Sequence, residues 1–589
     1  MSGAGDGGQL LTALERLRGE LDGLYLPLDL PDAGRSRTAA AGLRDQLDDY
    51  LLPRLRQIDA PLLAVVGGST GAGKSTLVNS LLRERISRAG ALRPTTRAPV
   101  LAHHPDDAAW FTGERVLPAL ARSTGAEEPG GPATAESPAA SGLRLVASTA
   151  VPVGLALLDA PDVDSVVDAN RALAVQLLSA ADLWVFVTTA SRYADAVPWE
   201  LLAGAARRGA SVAVVLDRVP SGPGDAAVLR EVRGHLATML RDGGLGGAPL
   251  FTVLESSDGD AAVDGLLPEA AVAPLRGWLD TLAGDARQRS TVVRRTLTGA
   301  LDSLPDRLAP VAGAATAQSA AAEALRADVV AAFAVGREEL ETELTDGTLL
   351  RGEVLARWQE FVGTGELFRS LDAAVGRLRD RLGALVRGGP APGPEPVGEA
   401  VRSGVADLVR ARCVAALDRT RERWETRPAG AQALAVAGPA LELPDGFDER
   451  VTRLVRDWQR GVLDLVRAEG EGRRTRARVL SFGVNALGVA LMVVVFASTA
   501  FIPTGAEVGV GVGAAAVGQR LLEAVFGDAA VRALAAQARA DLLRRVDELV
   551  DVPRRRLVEA LDGVGVDREA AGRLETALAD VAAARAVDA

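Results

Sequence analysis

Eight consecutive residues, Gly68-Ser69-Thr70-Gly71-Ala72-Gly73-Lys74-Ser75, complete the pattern G-x-x-x-x-G-K-S. Each residue type in that pattern has a task on a phosphate chain. The glycines let the backbone turn and approach closely. The N–H groups of Gly71, Ala72, Gly73 and Lys74 are set to cradle phosphate oxygens, helped by the N-terminus of the helix that follows. Ser75 offers a hydroxyl to Mg2+. Lys74 is the only lysine in 589 residues, and the other 65 basic residues are arginine. A guanidinium is a planar, wide fork, whereas an ammonium is a point charge that tucks under β- and γ-phosphates. Chemistry rather than composition therefore explains the lysine. The expected nucleotide-binding set is Gly68, Ser69, Thr70, Gly71, Ala72, Gly73, Lys74, Ser75 and Thr76.

Such a loop works only if a strand delivers it and a helix carries it away. Residues 62–66 read as a buried strand and 76–82 as the helix after the loop. Further short apolar strands are expected at 151–158, 183–187, 212–216 and 250–254, with 143–147 as an antiparallel partner of 151–158. Helical stretches between them imply an α/β head, a mostly parallel sheet with helices on both faces. Ahead of it, Leu10, Leu14, Leu17, Leu21 and Leu24 keep helical spacing. A second helix carries Leu43, Leu47, Tyr50, Leu51, Leu55 and Ile58, bent near Pro53. From about 290 the strands stop. Helical patterns then dominate, interrupted at 388–398 by four prolines in a linker or hairpin tip. Long helices without a nucleotide site read as a bundle or stalk.

Residues 479–501 are 23 in a row without a charge. As a helix they would reach about 34 Å, enough for a hydrocarbon core of about 30 Å. Arg473, Arg474, Arg476 and Arg478 precede them, which favours a cytoplasmic start and suits lipid headgroups. Pro503 breaks the helix, and 508–518 is a second, shorter apolar run. Two shapes fit: a hairpin that crosses and returns, or a crossing helix with a re-entrant or interfacial return. A buried core helix is the alternative.

The net charge of −11 points away from nucleic acid. One cysteine, Cys413, excludes an intrachain disulfide and reads as a small buried apolar residue. With only His103, His104 and His235 beside it, a structural zinc site is not expected. Residues 1–9 show no secretory signal.

The chain resembles the dynamin-like GTPases, more closely their bacterial, membrane-anchored members. Three features carry the resemblance: helices precede the phosphate loop; Pro94-Thr95-Thr96-Arg97-Ala98-Pro99 is similar to the first switch, T-R-x-P; and Leu157-Leu158-Asp159-Ala160-Pro161 is similar to the second, a strand then D-x-P-G. The resemblance implies GTP and Mg2+ as cofactors. Lys74, Thr96 and Asp159 would be catalytic, with Ser75, Thr96 and Asp159 at the metal. It implies domains at 1–56 (N-terminal helices packing with the neck or stalk), 57–288 (P-loop GTPase head), 289–478 (helical stalk), 479–527 (membrane-inserting hairpin) and 528–589 (returning helices). A lipid bilayer and a homo-oligomeric or paralogous partner are the implied partners, with head and stalk on the cytoplasmic face of the inner membrane.

Departures from that pattern are specific. Asp162 stands where the second switch has glycine, and a carboxylate there repels a γ-phosphate unless it points away. Thr70 and Gly71 occupy positions where dynamins place Gln and Ser. After the strand at 212–216, Asp217-Arg218-Val219-Pro220 replaces the base-reading [NT]-K-x-D; Arg218 can stack on a purine, whereas Pro220 cannot accept from guanine. Asp217, three positions early, is the substitute reader, and Glu255-Ser256-Ser257 is where ribose and base would be closed over. Two functions follow: a mechanochemical GTPase that bends, fuses or severs membranes, with the division septum as one setting, or a slow nucleotide switch that recruits partners to the membrane. An ATP-driven transporter subunit is disfavoured, since no L-S-G-G-Q signature is found.

Overall fold

The computed structural model describes residues 6–87, 99–113, 116–118, 120–124, 142–164, 168–207, 209–219, 225–254, 266–346, 395–471, 483–496 and 510–588, with isolated positions between 349 and 360. The chain divides into two compact units. The first holds Met1–Leu26, Asp32–Thr316 and Asp567–Ala589; the second holds Pro27–Pro31 and Ala317–Val566.

The first unit is built on an eight-stranded sheet among the described residues. Its strands are β1 (Leu62–Gly68), β2 (Val100–His103), β3 (Arg122–Ser123), β4 (Leu143–Ala147), β5 (Leu155–Asp159), β6 (Leu183–Thr189), β7 (Ser211–Val219) and β8 (Leu250–Leu254). Their spatial order is β3-β4-β2-β5-β1-β6-β7-β8. Only the β2–β5 pairing is antiparallel. Strands β1, β5 and β6 are buried along their whole length, as strands covered on both faces must be. Their two-residue period divides them between two cores. Leu63, Val65, Leu158, Trp184 and Phe186 pack on one side, and Leu62, Ala64, Val66, Leu157 and Val185 on the other.

One expected pairing is corrected. Residues 143–147 do form a strand, but it does not pair antiparallel with the strand that ends at Asp159. The unexpected β2 lies between them, parallel to β4 and antiparallel to β5. The strand expected from 151 begins only at Leu155.

The leucine face of helix Asp6–Asp22 is buried with helices Ala286–Asp302, Leu304–Thr345 and Ala570–Asp588: Leu14, Leu17 and Leu21 share a core with Leu301, Leu308, Leu574 and Val581. A π-helical turn at Leu47–Leu51 precedes the short helix Leu52–Arg56, so the irregularity falls before Pro53. From that helix Arg54 donates to the carbonyls of Ala60 at 3.0 Å and Pro61 at 3.2 Å and pairs with the buried Asp182. Asp182 also accepts from the N–H of Leu63 at 2.8 Å. The pair fastens the helix to the amino ends of β1 and β6.

The second unit is helical. Helix Phe447–Glu469 buries Val451, Val455, Trp458, Val462 and Val466 at spacings of three and four. Trp458 Nε1 donates to the Ala538 carbonyl at 2.8 Å, and its ring lies 5.5 Å from that of Phe496. Cys413 is buried here, and burial pushes its thiol up to about 12.

The apolar segment departs from expectation. Residues 483–496 of it are described, and they carry helix Val484–Val495. Leu487, Val489, Ala490, Leu491, Met492, Val493 and Val495 are buried in the same core as Trp458. At Gly488 an added Cβ would stand 2.3 Å from Leu463 Cδ2, so the two helices touch closely. Arg539 caps the helix end, donating to the Val495 carbonyl at 2.6 Å. Among the described residues no helix is long and apolar enough to cross a membrane. Residues 479–482 and 497–501 lie outside the described residues. Of the second apolar run, residues 510–518 lie in helix Val510–Phe526 and 508–509 lie outside the described residues.

Two stability effects are expected. Arg54→Ala strands a buried carboxylate, and urea unfolding should report a loss of about 3–5 kcal/mol. Burial first, then the neighbouring Asp45 and Asp48, push the Asp49 carboxyl from 3.8 up to about 6, against a hydrogen bond from Gln176. A raised carboxyl favours the protonated fold, so its ionisation destabilises as pH rises from about 4 through 6. Asp49→Asn should therefore be more stable than wild type at pH 7.5 by ~1–3 kcal/mol. That advantage should vanish near pH 4.

Candidate functional site

The phosphate loop leaves the carboxyl end of β1, at the centre of the sheet. Beside it end β5, with Asp159, and β6, while β7, one strand further on, carries Asp217 near its end. Ligands of open α/β sheets bind at this edge. Gly68 closes β1 at φ 153°, and a Cβ there would lie 2.0 Å from the Val187 carbonyl oxygen. Ala72 N–H turns back onto the Ser69 carbonyl at 3.1 Å. Gly73, at φ 90°, opens helix Lys74–Leu82; its Cβ would meet Asp217 Oδ2 at 2.3 Å. Both positions require glycine because the backbone is left-handed and the neighbouring oxygen is within contact.

Lys74 is 6% exposed. Its ammonium donates to the carbonyls of Gly68 at 3.1 Å and Ser69 at 3.0 Å and pairs with Asp162. Ser75 Oγ donates to Asp159 Oδ2 at 2.6 Å, and Ser87 Oγ donates to the same oxygen. Burial raises the Asp159 carboxyl, opposed by the two serine hydroxyls and the Lys74 charge. Asp159 Oδ1 and Ser69 Oγ are buried with no hydrogen-bond partner among the described residues. This oxygen-rich set suits Mg2+, a hard cation that keeps several waters and takes one or two carboxylates with substrate phosphates.

Thr70 is held from outside the loop. Its N–H and its hydroxyl both donate to Asp164 Oδ1 at 2.6 Å. Arg192 donates to the Thr70 carbonyl at 2.8 Å, to Asp164 at 2.8 Å and to Asp195 at 2.7 Å. Burial alone would raise the Asp164 carboxyl, but these bonds outweigh it and hold it below its ordinary value.

Asp217 is buried at the end of β7 and accepts from the Arg218 N–H at 2.8 Å. Arg218 adopts φ 53° beside a β-bulge, with its side chain exposed. The Asp217 carboxylate thus lies against the loop backbone at Gly73. Thr76 sits in the first turn of the loop's helix. The structure brings Gly68 through Thr76, Asp159 and Asp217 together and sets Arg218 beside them. Thr95, Thr96, Pro220, Glu255 and Ser256 lie outside the described residues. Sequence reasoning did not assign Asp164, Arg192 or Ser87. The alternation of carboxylates in Asp159-Ala160-Pro161-Asp162-Val163-Asp164 is a signal for the first; the other two belong to no motif.

No family model matches this chain, and no curated protein matches it. Among solved structures it is similar to an oligomerised bacterial dynamin pair described as sensing and tethering membranes over long range. That likeness has 9% identity and a TM-score of 0.41, covering 99% of this chain and 95% of the other. A second structure of such a pair gives 10% and 0.39, covering 99% and 96%. Toc33 from Arabidopsis thaliana in complex with GDP and Mg2+ gives 16% and 0.24, covering 43% and 92%.

Gly73→Ala should lower triphosphate affinity at least about tenfold, because the loop cannot keep both its left-handed turn and its contact with Asp217. Titration with a fluorescent nucleotide, with circular dichroism as the check on folding, measures it.

Proposed function

We propose that this chain is a membrane-acting GTPase of dynamin type, coupling GTP binding and hydrolysis to bending, fusion or scission of a bilayer. One observation carries the nucleotide part: a buried lone lysine, a serine hydroxyl bonded to a buried aspartate, and a glycine-rich turn meet at the carboxyl edge of a parallel sheet. Backbone N–H groups of residues 71–74 hold the phosphates, and Lys74 neutralises their charge. Ser75, and Asp159 through water, would hold Mg2+, which supplies charge neutralisation at the β- and γ-oxygens. Thr96 closes on the γ-phosphate. Guanine is the base that the family resemblance implies, with Asp217, Arg218 and Ser256 the residues assigned to it.

The membrane part is supported by the charge-free run at 479–501 and the arginines before it. Helix Val484–Val495 is packed in the helical core, so insertion requires it to leave that packing. The setting is the cytoplasmic face of the inner membrane, the division septum being one site of action, with a second copy or a paralogue as partner. A slow switch that recruits partners is the second reading. It is favoured by Asp162, which holds Lys74 where a phosphate is to bind.

Binding of GTP and ATP to the full chain, measured side by side with Lys74→Ala as control, tests the nucleotide reading. GTP should bind at least about tenfold more tightly than ATP, with binding lost in the variant. Equal binding of both would remove the guanine assignment. GTP turnover that stays low on anionic vesicles would favour the switch.

A further inference from the structure

The segment from Asp159 to Asp164 sends three carboxylates to three different groups of the phosphate loop. Asp159 takes the Ser75 hydroxyl, Asp162 the Lys74 ammonium, and Asp164 the N–H and hydroxyl of Thr70. An ammonium has three donors. Two of those on Lys74 are spent on the loop's own carbonyls, Gly68 and Ser69. The third goes to Asp162, and it is the one left for a phosphate oxygen. Lys74 is 6% exposed and the Asp162 side chain 28%. The carboxylate therefore stands at the mouth of the loop, between solvent and the buried ammonium. Two anions cannot share one donor, and their mutual repulsion adds to the competition. Arg192 strengthens the arrangement, since it ties Asp164 and the Thr70 carbonyl together and holds the segment across the loop.

We infer that Asp162 is an internal competitor for the phosphate site, an affinity-determining residue that a nucleoside triphosphate must displace from Lys74 before it binds. The inference rests on the nucleotide reading proposed above. Release of Asp162 frees the ammonium, and the segment can then part from the loop only if the Thr70–Asp164 bonds also open.

The test uses the full chain and a fluorescent GTP analogue, with Mg2+, comparing wild type, Asp162→Asn, Asp162→Gly and Lys74→Ala, each checked for an unchanged thermal unfolding profile. Removing the competing charge should tighten binding about tenfold to a hundredfold, the size of one charge-assisted hydrogen bond. The gain should shrink as salt rises from 0.05 to 0.5 M (chosen conditions, spanning Debye lengths of about 14 to 4 Å), because the carboxylate is partly exposed. Asp162→Gly serves if the asparagine variant does not fold. Wild type that binds as tightly as both variants, or more tightly, overturns the inference and leaves the nucleotide reading standing. Absence of binding in wild type and variants alike overturns the nucleotide reading, and the inference with it.

Discussion

The pairing of β1 with β5 and β6 is the constraint on which the site depends. In register, Val66 stands opposite Asp159 and Gly68 opposite Val187. Those pairings bring the metal-side carboxylate level with the start of the phosphate loop. A slip of one residue would turn Asp159 to the other face and exchange side chains fitted to one core with those fitted to the other. Register is therefore specified by apolar burial, while the chemistry sits where burial ends. The cost of keeping Asp159 in that position is borne by the cores on either side: its carboxyl is fully buried and raised above its ordinary value.

Much of the head was legible because its physics is local. A strand buried in the sheet is a short apolar run, and six of the eight strands were legible as such, β4 with the wrong partner. The loop is legible because its residue types are dictated by phosphate. The remainder was hidden for a different reason. Strand β2 is four residues ending in a histidine, too short to show a period. The partner of Thr70, Asp164, lies 94 residues away, and Arg192 lies 122 away. Nothing in the identity of an aspartate or an arginine announces such a meeting; the sheet order creates it.

The apolar segment shows where hydropathy alone is silent. A helix in a protein core and a helix in lipid have equally apolar surroundings, so charge-free length cannot separate them. What separates them here is neighbours. Trp458, Phe496 and Leu463 pack around Val484–Val495, and an arginine donates to the carbonyl of its last residue, Val495. An arginine bonded at that point is costly in hydrocarbon, which marks the packed arrangement as one suited to protein surroundings.

The meeting of helix Asp6–Asp22 with Ala570–Asp588 has a consequence for biosynthesis. Leu14, Leu17 and Leu21 leave the ribosome well before part of their partner surface, Leu574 and Val581. At about 5–20 residues per second, some half a minute to two minutes separate the two events. Throughout that interval the nascent chain carries a leucine face without its final cover. The first unit therefore completes this core only after the whole helical unit has been translated.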